Sequence, residues 1–251
     1  KTHNYEYMSN SIIIIPSRLA ATRLPQKPLI KINNKTLIMH VYEKATESQI
    51  GEVYVATCDE EIALEVRKSG GKVIMTDIKH TTGTDRVFEA SKKLNLKDID
   101  FIMNIQGDEP MINPSDIKNL NKLSKEKNLN ISTLAYNIEK KEDYNNENIV
   151  KVITKYKISD SSATEALNFY RVIKENSSSN IYHHFGIYLY KYSALKKFVN
   201  FEKSENETKE RLEQLRAIDN NIKINVILAK YFSSGIDTKK DLEDYIKSFK
   251  K

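Results

Sequence analysis

The chain has 251 residues, 39% hydrophobic and 29% charged, with 40 Lys+Arg against 34 Asp+Glu and a formal net charge of +6. This is enough apolar material for one folded α/β domain and excludes a disordered chain. No stretch approaches the ~20 apolar residues of a membrane span, and the longest aliphatic run, Ile12 to Ile15, is too short for a signal-peptide core. The one cysteine, Cys58, can build neither an internal disulfide nor a zinc site by itself, so a cytoplasmic protein is expected. The lysines are dispersed among acids, without the basic run interleaved with aromatics that a nucleic-acid face shows.

Residues 1–10 are polar and aperiodic, with Met8 a candidate native start. Short apolar runs then alternate with helical periodicity. Strands are expected at Ile12–Ile15, Val53–Thr57, Lys72–Met75, Phe101–Ile105 and Ile131–Ala135. Between them helices are expected at Leu37–Ser48, at Glu60–Ser69 with Asp59 as N-cap, at Asp85–Leu94 and from Pro114. Strands separated by helices imply βαβ units and a mostly parallel sheet. After about Glu139 the pattern changes: Val150–Tyr156, Thr164–Val172 and Tyr182–Tyr190 alternate as open or antiparallel strands do, and read as a second, smaller layer. A helix at Thr208–Ile218, a strand at Ile224–Ala229 and a helix at Lys239–Phe249 close the chain. The organisation expected is a single α/β domain over 11–250 with a β-rich insertion at about 150–200.

In open parallel sheets ligands sit beyond the carboxyl ends of the strands, and the segments there are the unusual ones. Pro16-Ser17-Arg18-Leu19-Ala20-Ala21-Thr22-Arg23-Leu24-Pro25-Gln26-Lys27-Pro28-Leu29 carries three cations on a proline-stiffened, glycine-free loop, which suits phosphate or is an ordinary basic loop. Asn104-Ile105-Gln106-Gly107-Asp108-Glu109-Pro110 suits Mg²⁺ held by a carboxylate and substrate phosphates, or is a turn. In Ser234-Gly235-Ile236-Asp237-Thr238, taken alone, Asp237 or Thr238 caps the last helix. His80-Thr81-Thr82-Gly83-Thr84-Asp85-Arg86 is a polar loop entering a helix, and His183-His184-Phe185-Gly186-Ile187-Tyr188 lies in a β pattern, where adjacent histidines make a poor metal pair. Leu212-Glu213-Gln214-Leu215-Arg216 is compatible with nothing more than a charged helix face.

These six segments, in this order, resemble one family, the 3-deoxy-manno-octulosonate (Kdo) cytidylyltransferases, and the likeness runs from about Ser11 to Ile246. The resemblance implies a Rossmann-like nucleotidyltransferase fold with a β-rich insertion that serves dimerisation, and transfer of CMP from CTP to Kdo for lipopolysaccharide. It implies that Arg18, Thr22, Arg23 and Lys27 hold the CTP phosphates, and that Thr84 and Arg86 line the cytidine pocket. Asp108 and Asp237 would bind Mg²⁺, which replaces the capping role for Asp237. Gln106, His184, Tyr188, Glu213 and Gln214 would surround the sugar acid, with Arg171 meeting its carboxylate. A homodimer is the assembly the resemblance implies.

Two departures stand out: Gln26 replaces a glycine usual in the family, and Val172-Ile173-Lys174-Glu175 lacks the family's Ile-Pro step. They leave room for 8-amino-Kdo as substrate, while the nearest rival, activation of a sialic, legionaminic or pseudaminic acid, is fitted worse by the Asn104–Pro110 and Leu212–Arg216 segments. The other class of answer, a non-catalytic nucleotide-binding relic, has no use for both Asp108 and Asp237.

Overall fold

The computed structural model describes residues 10–20, 23–95, 97–173 and 180–249. Strand β1 (Asn10–Pro16) is followed by a small hairpin, β2 (Lys31–Ile32) with β3 (Lys35–Thr36), and by α1 (Leu37–Glu47). Then come β4 (Val53–Thr57), α2 (Glu60–Lys68), β5 (Lys72–Met75), α3 (Gly83–Leu94), β6 (Ile99–Ile105), α4 (Pro114–Glu126) and β7 (Ile131–Asn137). The second half holds β8 (Lys151–Thr154), β9 (Thr164–Tyr170), β10 (Ile181–Lys191), α5 (Tyr192–Val199), α6 (Glu205–Glu210), α7 (Leu215–Asp219), β11 (Ile224–Leu228) and α8 (Lys239–Ser248).

Among the described residues nine strands form one sheet in the order β5-β4-β1-β6-β10-β7-β11-β9-β8. Strands β5, β4, β1 and β6 are mutually parallel, as are β7 and β11, while β10 runs against both its neighbours β6 and β7. Strand β1 shows why the sheet is buried on both faces. Its isoleucines alternate, Ile12 and Ile14 packing with Val87 and Ala90 of α3, Ile13 and Ile15 with Val41 of α1 and Ile62 of α2. Among the described residues no helix is long and apolar enough to cross a membrane.

Three expectations change. The strands after Glu139 are not a second layer: β8, β9 and β10 join the main sheet, and β10 sits in its middle. The reason is its burial, enclosed along nearly its whole length, which requires cover on both faces. A further β8–β10 pairing closes β10, β7, β11, β9 and β8 into a ring of ladders. The helix expected over Thr208–Ile218 is instead the pair α6 and α7, broken at Arg211, whose φ of 56° is left-handed. The break lets Leu212 and Leu215 turn into the core. Finally, Asp59 precedes α2 but does not cap it through its side chain; its carboxylate accepts the Leu19 N–H at 2.7 Å instead.

Candidate active site

The segments leaving the carboxyl ends of β1, β6 and β11 converge. A short 3-10 turn, Lys27–Leu29, follows β1, entered through Gln26 at φ 53° and ψ 27°. This is the left-handed conformation glycine favours, held here by a side chain at a cost of about 1 kcal/mol. The turn aims Lys27 between two carboxylates: its Nζ lies 2.8 Å from Asp108 Oδ2 and 3.0 Å from Asp237 Oδ1. Asp237 stands just before α8, where Thr238 and Asp241 form the capping box, so its carboxylate is left to the site. Arg23 adds a guanidinium 3.6 Å from Asp237 Oδ2 and donates to Asn148 Oδ1 at 2.9 Å.

Electrostatics follow from burial. Burial acts to lower the Lys27 pKa, but Asp108 and Asp237 outweigh it and hold the ammonium above its ordinary value. Burial raises the Asp108 pKa, against the pull of Lys27. Glu109 is driven up to about 7, by burial first and the charge of Asp108 second. It accepts from the Gly186 N–H at 2.9 Å and the Ser233 hydroxyl at 2.8 Å, so one buried carboxyl ties the segments after β6 and β11 to the middle of β10. A Cβ at Gly186 would stand 2.7 Å from Gln106 Oε1 and 2.9 Å from Glu109 Oε1, so a side chain there would push both groups from their places.

Two cavities meet at Asp108 and Asp237, the partners of Lys27. The first, of about 460 Å³, is walled by Arg18, Arg23, Lys27, Thr84, Arg86 and Glu213 among others. Arg86 is pinned there by its bond to Thr76 Oγ1 at 2.5 Å. Three buried polar atoms without a partner among the described residues, Ser17 Oγ, Asn104 Oδ1 and Glu213 Oε1, belong to residues of this wall. Such atoms are costly unless a ligand satisfies them. Glu213 is pushed up to about 7 by burial, opposed by the Thr82 and Thr84 hydroxyls and by Arg216. The second cavity, of about 700 Å³, includes Arg171, His183, His184 and Arg211. Gln106, Asp108, Tyr188, Gln214 and Asp237 line both.

The sequence-derived residues therefore fall on one cleft, with three refinements. Thr22 lies outside the described residues. Glu213 lines the first cavity and is absent from the wall of the second. Arg171 lines the second cavity with three N–H groups already given to backbone carbonyls, those of Glu210, Arg211 and Glu147 at 3.0 to 3.1 Å. The segment Leu212–Arg216 is no charged face, since Leu212, Gln214, Leu215 and Arg216 are all buried. Arg216 donates two hydrogen bonds to the Glu207 carboxylate, at 2.6 and 2.8 Å, with its guanidinium over the Phe198 ring. Sequence reasoning missed Ser233, Arg211 and Lys151, whose fully buried ammonium binds the carbonyls of Asn146, Ile149 and Arg171. A lysine inside an apolar alternation, Val150-Lys151-Val152-Ile153, was the available signal.

Among the described residues no three His, Cys, Asp or Glu side chains are grouped to cage a metal. Two carboxylates flanking one cation suit instead a hard ion that keeps waters and takes phosphate oxygens.

A family model described as Cytidylyltransferase matches residues 12–224. The 3-deoxy-manno-octulosonate cytidylyltransferase of Thermodesulfovibrio yellowstonii is 46% identical over 243 residues, covering 93% of this chain and 95% of that protein. Its namesake in Nitrobacter winogradskyi is 39% identical over 236 residues, covering 94% and 92%. A solved structure of CMP:2-keto-3-deoxy-manno-octonic acid synthetase complexed with CTP matches with a TM-score of 0.85 at 35% identity, covering 96% of this chain and 99% of that one. Sequence and fold thus agree, and the chain belongs to the 3-deoxy-manno-octulosonate cytidylyltransferase family.

Proposed function

We propose that the chain activates Kdo: it transfers CMP from CTP to the anomeric hydroxyl, giving CMP-Kdo and pyrophosphate for lipopolysaccharide. The observation that carries this reading is the Lys27 ammonium held between Asp108 and Asp237 where the two cavities meet. The first cavity takes CTP, its unpartnered Ser17, Asn104 and Glu213 atoms meeting the nucleotide together with Thr84 and Arg86. Arg18, Arg23 and Lys27 neutralise the triphosphate, and their charge stabilises the oxygens as the anomeric hydroxyl attacks the α-phosphorus and pyrophosphate leaves. Gln106, Tyr188, His184 and Gln214 orient the sugar acid in the second cavity, where Arg171 keeps two N–H donors for its carboxylate.

Mg²⁺ belongs to the same reading: Asp108 and Asp237 are the residues that would hold it, and when bound it supplies charge neutralisation on the phosphates. So do a cytoplasmic location and a homodimer formed through the insertion at about 150–200, supported by the exposed Tyr156, Leu167 and Val172 in that stretch.

The test is pyrophosphate release from CTP and Mg²⁺ with Kdo, 8-amino-Kdo, sialic acid or no sugar. Release with Kdo is expected. Release with the nine-carbon acid alone would keep the chemistry and overturn the substrate; no release from a folded sample that binds CTP would remove the catalytic reading.

A further inference from the structure

Strand β10 bulges between His184 and Tyr188, which pair with Ala135 and Thr133 of β7. The bulge sets the Ile187 carbonyl beside the Thr133 hydroxyl, at 2.5 Å, and the same hydroxyl lies 2.9 Å from His184 Nε2. Hydrogen counting then decides the chemistry. A carbonyl oxygen can only accept, and two oxygens that close need a proton between them, so the single hydroxyl hydrogen of Thr133 goes to Ile187. The Thr133 oxygen must therefore accept from His184, and Nε2 carries the ring proton. With Nε2 protonated the neutral ring has one remaining polar atom, Nδ1, with its lone pair. The ring is kept neutral by burial, which pushes its pKa down to about 3, with His183 adding to the effect. It stands edge-on to Phe169 at 5.0 Å and tilted against Tyr188 at 5.3 Å, so it cannot swivel freely.

We propose that Thr133 is a positioning residue for sugar-acid recognition: it fixes His184 as the Nε2–H tautomer, making this histidine of the second cavity a hydrogen-bond acceptor that selects a substrate group able to donate, a hydroxyl or an ammonium. The inference rests on the second cavity being the sugar-acid site. Thr133 itself is fully buried and lines neither cavity, so its effect passes through His184.

Two measurements test it. Two-bond proton–nitrogen spectra of the full chain carrying nitrogen-labelled histidine read the tautomer without substrate. The His184 signals should show a bare Nδ1 and a protonated Nε2 in the parent and in Thr133→Ser, and should lose that pattern in Thr133→Val. A protonated Nδ1 in the parent overturns the proposal. In steady-state kinetics Thr133→Val should raise KM for the sugar acid about tenfold, the order expected for one lost hydrogen bond, with KM for CTP unchanged and Thr133→Ser close to the parent. An unchanged sugar KM, or an equal rise for both substrates, also overturns it. If the parent turns over no sugar acid at all, the functional reading fails, while the spectra still decide the tautomer.

Discussion

Lys27 is a cation with two partners, and Asp108 and Asp237 share it because each alone would be a carboxylate in a crowded, partly dry place. Asp108→Asn and Asp237→Asn should each lower turnover by roughly 10²–10³-fold, the scale of losing one preorganised charge, while thermal unfolding stays cooperative; unchanged turnover in either would remove it from the site. Glu213 makes a pH-dependent prediction. Its pKa near 7 in the fold lies above the ordinary 4.5 of a glutamate, so its contribution to stability is full below about 4.5 and is lost as pH rises toward 7. Glu213→Gln should therefore gain on the parent across that window, by at most about 3 kcal/mol, read from denaturant melts at several pH values. A constant gap would mean the carboxyl ionises in the fold as it does in water. At this scale the cations after β1, Asp108 after β6 and Asp237 after β11 were legible in the sequence because they follow strands, where ligands of such sheets sit. The Thr133–His184 bond was not, since those residues are distant in sequence and meet only through pairing of β7 with β10.

The elements divide into those that periodicity finds and those it cannot. Four consecutive isoleucines announce β1, and Val53–Thr57 is found to the residue, because a strand buried on both faces must be apolar throughout. The pair α6 and α7 was read as one helix because Leu212 and Leu215 keep helical spacing across the break, and positive φ at an arginine leaves no mark in composition. What steadies the break is the Glu207–Arg216 pair, almost wholly shielded from water. Arg216→Ala should cost about 3–5 kcal/mol by leaving Glu207 charged and unpaired, and Glu207→Gln in the same background should recover part of the loss; urea denaturation of both variants checks this. A loss below about 1 kcal/mol would place the pair among ordinary surface bridges.

For the whole molecule, the parallel sheet and the place of the cleft were legible from alternating elements, whereas the position of β10 was not. An antiparallel strand between two parallel halves needs long-range pairing that a linear pattern does not encode. The proposed homodimer is tested by Leu167→Glu, placed on an exposed apolar residue of β9. Light scattering should show the parent at twice the chain mass and the variant at once; a parent already monomeric would remove the assembly. The ring formed by β10, β7, β11, β9 and β8 has a consequence for solubility. A sheet that closes at one end has lost that end as a template for foreign strands, so among the described residues this sheet is open to strand addition at one rim, β5. That rim is four residues long and begins with Lys72, which is exposed and paired with Glu52. A short, charged rim is a poor seed, which favours a chain that stays dispersed as it leaves the ribosome.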